Sequence, residues 1–258
     1  MALKRVLQAI SLHRRLRSLH RLVRGDLYNQ PTSICNPGAE RVVVLAPHMD
    51  DEVLGCGGTL ARHVGAGAKV TVVFMTDGRY GGRVDNPSQT LTQIRKQEAK
   101  RAGDILGVHT LHFLDAEDGR LGTDRVIVEG LRDILLAENP SIVYLPFFLD
   151  GHVDHRAAND VMLSAVRGTT LNFECRGYEV TTPLMANRLV RIDDTVAAKK
   201  RALGCYASQL AAVDYMHSCL GLNAYRALSA AAPDCRFVEA FHALPLADYR
   251  RLVLAARY

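Results

Sequence analysis

Two short segments hold the residues with the greatest chemical reach. Pro47-His48-Met49-Asp50-Asp51-Glu52 packs an imidazole and three carboxylates into six positions, with Gly55, Gly57 and Gly58 close behind. His152-Val153-Asp154-His155 brings the same residue types together again about a hundred residues later. Two imidazoles and one carboxylate make a three-ligand metal site with a fourth position open, as in catalytic zinc centres. A metal there acidifies water and polarises a carbonyl. A second carboxylate must then take the proton, and a further histidine can stabilise the oxyanion. The two segments hold this whole inventory. The same ligand set also serves non-haem Fe(II) oxygenases. The spare Asp50 beside Asp51 favours hydrolysis, because an oxygenase needs no water-activating base.

The surrounding periodicity says how the segments meet. Arg41–Ala46 (RVVVLA) and Lys69–Met75 (KVTVVFM) are β-branched runs of the kind found in buried parallel strands. Leu111–Leu114 and Ile142–Leu145 are two further strands. Helical spacing covers Asp51–Gly65, Leu91–Leu106 (with Gly107 at its end), Arg125–Glu138 and His155–Arg167. This alternation predicts βαβ units. The expected fold is α/β, a Rossmann-like, doubly wound, mainly parallel sheet. With strand order 3-2-1-4, strands one and four are neighbours at the switch point, where ligands bind outside the carboxyl ends. Both His/Asp segments follow those two strands. Beyond Gly168 the pattern weakens, with strands expected at Arg188–Ile192 and Phe237–Phe241 and helices at Thr195–Leu203 and Leu220–Ala230.

The 258 residues carry 32 Lys plus Arg against 27 Asp plus Glu, a net charge of +5. The first 25 residues hold Lys4, Arg5, Arg14, Arg15, Arg17, Arg21 and Arg24 and no acid, so the remainder sums to −2. The body is therefore no nucleic-acid surface. Arginines interrupt any signal-peptide core, and no apolar stretch approaches transmembrane length. The expected compartment is the cytoplasm. Residues 1–40 form a basic arm and connector, open to an acidic partner or peripheral membrane contact, and 41–258 form a single domain. The oligomeric state is not legible. Six cysteines without a C-x-x-C pair suggest reduced, mostly buried thiols, with Cys56 close to the site.

The segments resemble those of the PIG-L/LmbE-like family of metal-dependent deacetylases acting on N-acetylglucosaminyl substrates, whose pattern is P/A-H-P-D-D-E and then H-P-D-H. Met49 and Val153 stand where the family has proline. Thr76-Asp77-Gly78, Arg95-Lys96-Gln97-Glu98, Tyr206-Ala207-Ser208-Gln209 and Glu239-Ala240-Phe241 extend the likeness over most of residues 41–241. The resemblance implies His48, Asp51 and His155 as metal ligands, with Zn²⁺ preferred and Fe²⁺ or Mn²⁺ as alternatives. It implies Asp50 as general base, protonated His152 as oxyanion stabiliser, and Asp154 as the residue orienting a catalytic histidine. The implied reaction removes the acetyl group of a free, nucleotide-, lipid- or glycan-linked amino sugar. Another N-acyl substrate, such as a thiol conjugate or a secondary-metabolite intermediate, is the alternative.

Around this core, Glu52 either bonds a ligand or starts the helix. Arg79, Tyr80, Arg83 and Phe147 are candidates for substrate contact, since with no Trp any sugar stacking falls to Tyr or Phe. Phe147 and Phe148 are also suited to the core. His63, His109, His112, His217 and His242 sit in no ligand spacing and read as structural. No G-x-x-x-x-G-K-[ST] loop supports nucleotide binding.

Overall fold

Five of the six residues in Arg41–Ala46 are buried, because both faces of this strand are covered. Val42, Val44 and Ala46 point into one apolar layer, while Val43 and Leu45 point into another. The computed structural model describes residues 32–82, 90–108 and 110–256. Its elements are β1 (Ser33–Ile34), β2 (Arg41–Ala46), α1 (Asp51–Gly65), β3 (Lys69–Thr76), α2 (Leu91–Leu106), β4 (Thr110–Ala116), α3 (Arg125–Glu138) and β5 (Ile142–Pro146). They continue with α4 (Val153–Ala165), β6 (Glu174–Tyr178), β7 (Arg188–Arg191), α5 (Val196–Leu203), α6 (Ala207–Leu210), α7 (Tyr215–Ala227), β8 (Val238–Pro245) and α8 (Leu246–Ala256).

The sheet runs β1-β7-β8-β6-β5-β2-β3-β4. Strand β8 is antiparallel to β6 and β7, and the other pairs are parallel. The chain winds outward from β2 through β3 to β4, then returns to place β5 on the other side of β2. This is the expected order, with the switch point between β2 and β5. Leu131 of α3, Met162 of α4 and Leu252 of α8 pack on one face. Leu60 of α1, Ala102 of α2, Ala202 of α5 and Cys219 of α7 pack on the other. Local chemistry sets the helix ends. Thr90 and Gln93 form a capping box at the start of α2, and Gly107 ends it in the left-handed conformation at φ 76°.

Several boundaries differ from expectation. Helix α4 begins at Val153 rather than His155 because His152 is its N-cap, its side chain accepting from the Asp154 N–H. Helix α7 begins at Tyr215, where the Asp214 side chain caps the His217 N–H, and ends at Ala227 before a 3₁₀ turn. Strands β1 and β6 and helix α8 carry no signal that periodicity alone would find, and β8 runs on to Pro245. All six cysteines are free thiols. Cys56 is fully buried, its thiol donating to the Glu52 carbonyl, so it lines no site. The basic arm lies outside the described residues, among which no helix is long and apolar enough to cross a membrane.

Helix α1 is broken at Cys56, whose φ of −147° is not helical. A break exposes carbonyls on one side and N–H groups on the other. Lys199 Nζ donates to the Leu54 carbonyl at 2.9 Å, and Glu239 accepts from the Gly58 and Thr59 N–H groups at 2.9 and 2.7 Å. The two side chains pair at 2.6 Å, both fully buried. The glycines of α1 are there for packing. A Cβ on Gly55 would sit 2.2 Å from the Tyr178 ring, and one on Gly58 would sit 2.8 Å from Ile192.

Candidate active site

The turn after β2 is held from three sides. The Thr76 N–H and hydroxyl donate to the Pro47 carbonyl. Arg95 donates to the carbonyls of Met49, Gly78 and Tyr80 and to Asp50 Oδ1 at 3.3 Å. Glu52 accepts from the Asp50 N–H at 3.2 Å and from the Tyr206 hydroxyl. Glu52 is therefore a buried brace. Met49 gives the turn no ring, but its carbonyl is clamped by Arg95. Asp50 itself sits at φ 144°, ψ −25°, a region costly for a residue with a side chain and common at functional sites. Glu98 accepts from the Ser208 N–H and hydroxyl, tying α2 to α6. The weaker sequence signatures thus become the scaffold behind the site.

As the topology predicts, the two segments meet beyond the carboxyl ends of β2 and β5. Asp51 Oδ2 lies 3.3 Å from His48 Nδ1 and 3.3 Å from His155 Nε2. Tetrahedral zinc with bonds of about 2.0–2.2 Å separates its ligands by about 3.3–3.6 Å, so these two separations suit such an ion, and donor atoms of His48, Asp118 and Asp154 also cluster within 4.8 Å of one another. The outer nitrogens of both rings back onto carboxylates. Asp154 Oδ2 and Asp118 Oδ1 each lie 3.1 Å from His48 Nε2, and Asp150 Oδ1 lies 3.0 Å from His155 Nδ1. Carboxylate behind imidazole is the usual support of a metal ligand. His152 also brings a ring nitrogen within 4.8 Å of those of His48 and His155.

The carboxylate of Asp154 engages His48 and the N–H groups of Gly119 and Leu121, so the histidine it touches is His48. His152 Nδ1 accepts from the Asp154 N–H, so in this arrangement Nδ1 carries no proton and the ring's donor is Nε2–H.

Charge in the cluster is strongly biased. Burial opposes a charged His48, but Asp118, Asp154 and Asp51 outweigh it and hold its pKa well above the usual value. For His155, burial is likewise overcome by Asp51 and Asp150, giving about 9. Asp51 falls well below its usual value because the two histidines outweigh burial. Burial pushes the Asp50 carboxyl up to about 7, with Arg95 pulling down and Asp51 adding to the rise. Burial and repulsion from His48 and His155 lower His152. Asp50, Asp51, Asp118, Asp150 and Asp154 thus converge on three imidazoles, an excess of acid that suits a divalent cation.

A cavity of about 180 Å³ opens over this cluster, lined by His48, Asp50, Asp51, His152 and His155 with Tyr80 and Tyr215 at its sides. Of the residues expected to touch substrate, Tyr80 lines it. Arg79 does not, because its guanidinium is turned onto Asp77. Phe147 is 1% exposed and packs on Phe148 and His242, so it belongs to the core. Arg83 and His109 lie outside the described residues. Sequence reasoning missed Asp118 and Asp150. Asp118 follows the end of β4, and Asp150 sits just ahead of His152. Position at the carboxyl end of a parallel strand was the available signal for both.

A doubly wound sheet with an acid-rich imidazole cluster at its switch point is a ligand-binding crevice with the residue types of a metal site. The family model described as PIG-L: GlcNAc-PI de-N-acetylase matches residues 43–166. The diacetylchitobiose deacetylase of Thermococcus kodakarensis is 30% identical over 191 residues, covering 66% of this chain and 70% of that protein. The probable N-acetyl-alpha-D-glucosaminyl L-malate deacetylase 2 of Bacillus anthracis is 28% identical, covering 66% and 81%. The chain belongs to the PIG-L family, whose deacetylases hydrolyse amide bonds and depend on a metal. The structure of N,N'-diacetylchitobiose deacetylase from Pyrococcus horikoshii superposes with a TM-score of 0.71 over 90% of this chain and 94% of that one. At 24% identity, that likeness is one of fold.

Proposed function

We propose that this protein removes the acetyl group from an N-acetylglucosamine-type amino sugar, with His48, Asp51 and His155 holding Zn²⁺. The observation that carries this reading is the shared approach of Asp51 Oδ2 to both imidazoles, each at 3.3 Å. A nitrogen-rich donor set suits zinc, with Fe²⁺ and Mn²⁺ as competitors set by availability. The bound ion supplies Lewis-acid polarisation of the amide carbonyl and acidifies a water molecule. Asp50, on the cavity wall, takes the proton of the attacking water and returns it to the leaving amine as the C–N bond breaks. His152 Nε2–H donates to the oxygen that gains charge in the tetrahedral state. Asp154 and Asp150 orient His48 and His155. In this reading the catalytic domain expected over 41–258 also takes in β1, which pairs with β7 at the edge of the same sheet.

The test is acetate release by zinc-loaded protein from free, nucleotide-linked and lipid-linked N-acetylhexosamines, beside N-acyl thiol conjugates. Acetate from an amino sugar, abolished by a chelator and restored by zinc, is the expected result. Acetate from the thiol conjugates alone would move the substrate assignment to that class.

The supporting carboxylates should show in metal affinity. His155→Ala loses the ion, whereas Asp154→Asn keeps it but binds about 10–100-fold more weakly, the usual cost of losing such a partner. Metal titration checks both. Wild-type affinity in His155→Ala would remove that residue from the ligand set.

A further inference from the structure

We propose that a second cavity beside the candidate active site is a subsite for a short apolar substituent, of about six carbons, carried by the amino sugar. The assignment of the sugar itself rests on the deacetylase reading above. This cavity measures about 160 Å³ and shares Leu54, Val180, Thr181 and Tyr215 with the first, so the two adjoin along one wall. Beyond that wall it is lined by Gly55, Val213, Cys219, Leu222 and Ala240. Tyr215, Cys219 and Leu222 recur at four- and three-residue spacing and so share one face of α7.

Its polar residues are already engaged within the protein. Glu179 is paired with Arg226 and accepts from the Leu184 N–H. Asn223 Nδ2 donates to the Val238 carbonyl, and the Ser218 hydroxyl to the Asp214 carbonyl. The Thr181 hydroxyl donates to Asp150, and the Cys219 thiol to the Leu54 carbonyl. A second sugar ring brought here would bury hydroxyls against groups with little left to offer, which costs free energy. The first cavity, by contrast, presents Asp50, Asp118, Arg95, His152 and Gln209. An apolar cavity of about 150 Å³ holds benzene, so this one takes a phenyl ring or a chain of five to six carbons.

The probes are the methyl and hexyl glycosides of 2-amino-2-deoxyglucose and the corresponding amino-sugar disaccharide. Calorimetry on the zinc-loaded protein gives their dissociation constants. Each methylene buried is worth about a fourfold gain. With part of the chain buried, the hexyl glycoside binds about 10–100-fold more tightly than the methyl glycoside and more tightly than the disaccharide. Leu222→Asp brings the hexyl-to-methyl ratio close to one. Val213→Asp, at a position 47% exposed, does the same without threatening the core. A wild-type ratio near one would overturn the proposal. So would preference for the disaccharide, or a ratio that survives in a folded Val213→Asp protein. Acetate release from N-acetylglucosamine methyl glycoside, followed separately, tests the deacetylase reading. Its failure beside an intact ratio would leave the subsite standing.

Discussion

Asp50→Asn lowers turnover by about 10²–10⁴-fold while metal content stays at the wild-type level. The magnitude is that of a positioned acid–base group. The separation of effects follows from geometry. Asp50 lines the cavity and is gripped by Arg95, whereas the proposed metal ligands are its neighbour Asp51 and the two histidines that Asp51 touches. Asn keeps the shape and an oxygen that can still accept from Arg95, so the turn survives and only the proton acceptor is lost. Steady-state acetate release and metal analysis on the same preparation check the prediction. Full activity in a metal-replete Asp50→Asn protein would remove Asp50 from the base role.

The largest stability effect is expected far from the substrate. Glu239→Ala leaves Lys199 charged and fully buried without its partner and orphans two N–H groups at the break in α1. Breaking a buried ion pair in this way costs about 3–5 kcal/mol. For a chain of this size that is a fall of about 6–20 °C in Tm. Adding Lys199→Met to Glu239→Ala removes the uncompensated charge and recovers part of the loss. Thermal unfolding of the three proteins decides it, and a shift under about 2 °C in Glu239→Ala would show that the pair does not hold the break.

What could be seen in the sequence follows from what each residue meets. Strands β2, β3 and β5 are legible because helices cover both of their faces and nearly every interior position is apolar. Strand β6 (ECRGY) is not, because its polar positions are satisfied by distant partners. Arg176 is buried between Glu174 and the Tyr144 hydroxyl, and Gly177 lies against Phe147. His48, Asp51 and His155 stand out because their types and spacing are unusual. Asp118 and Asp150 do not, since lone acids in loops are common and only the closed sheet brings them to an imidazole. Phe147 misleads because it directly follows β5, yet its ring turns into the core. The break in α1 is silent in sequence because the groups that cap it come from α5 and β8.

The pairing of β2 with β5 also has a consequence in time. His48 and Asp51 leave the ribosome about a hundred residues before His155. At about 5–20 residues per second that delay is roughly 5–20 s. Throughout it the nascent chain carries an incomplete donor set. With the proposed ligands His48, Asp51 and His155, ion capture would wait for β5 to dock beside β2, one of the longest-range pairings in the sheet. Under that proposal metal uptake marks the arrival of the native topology and can serve as a clock for it.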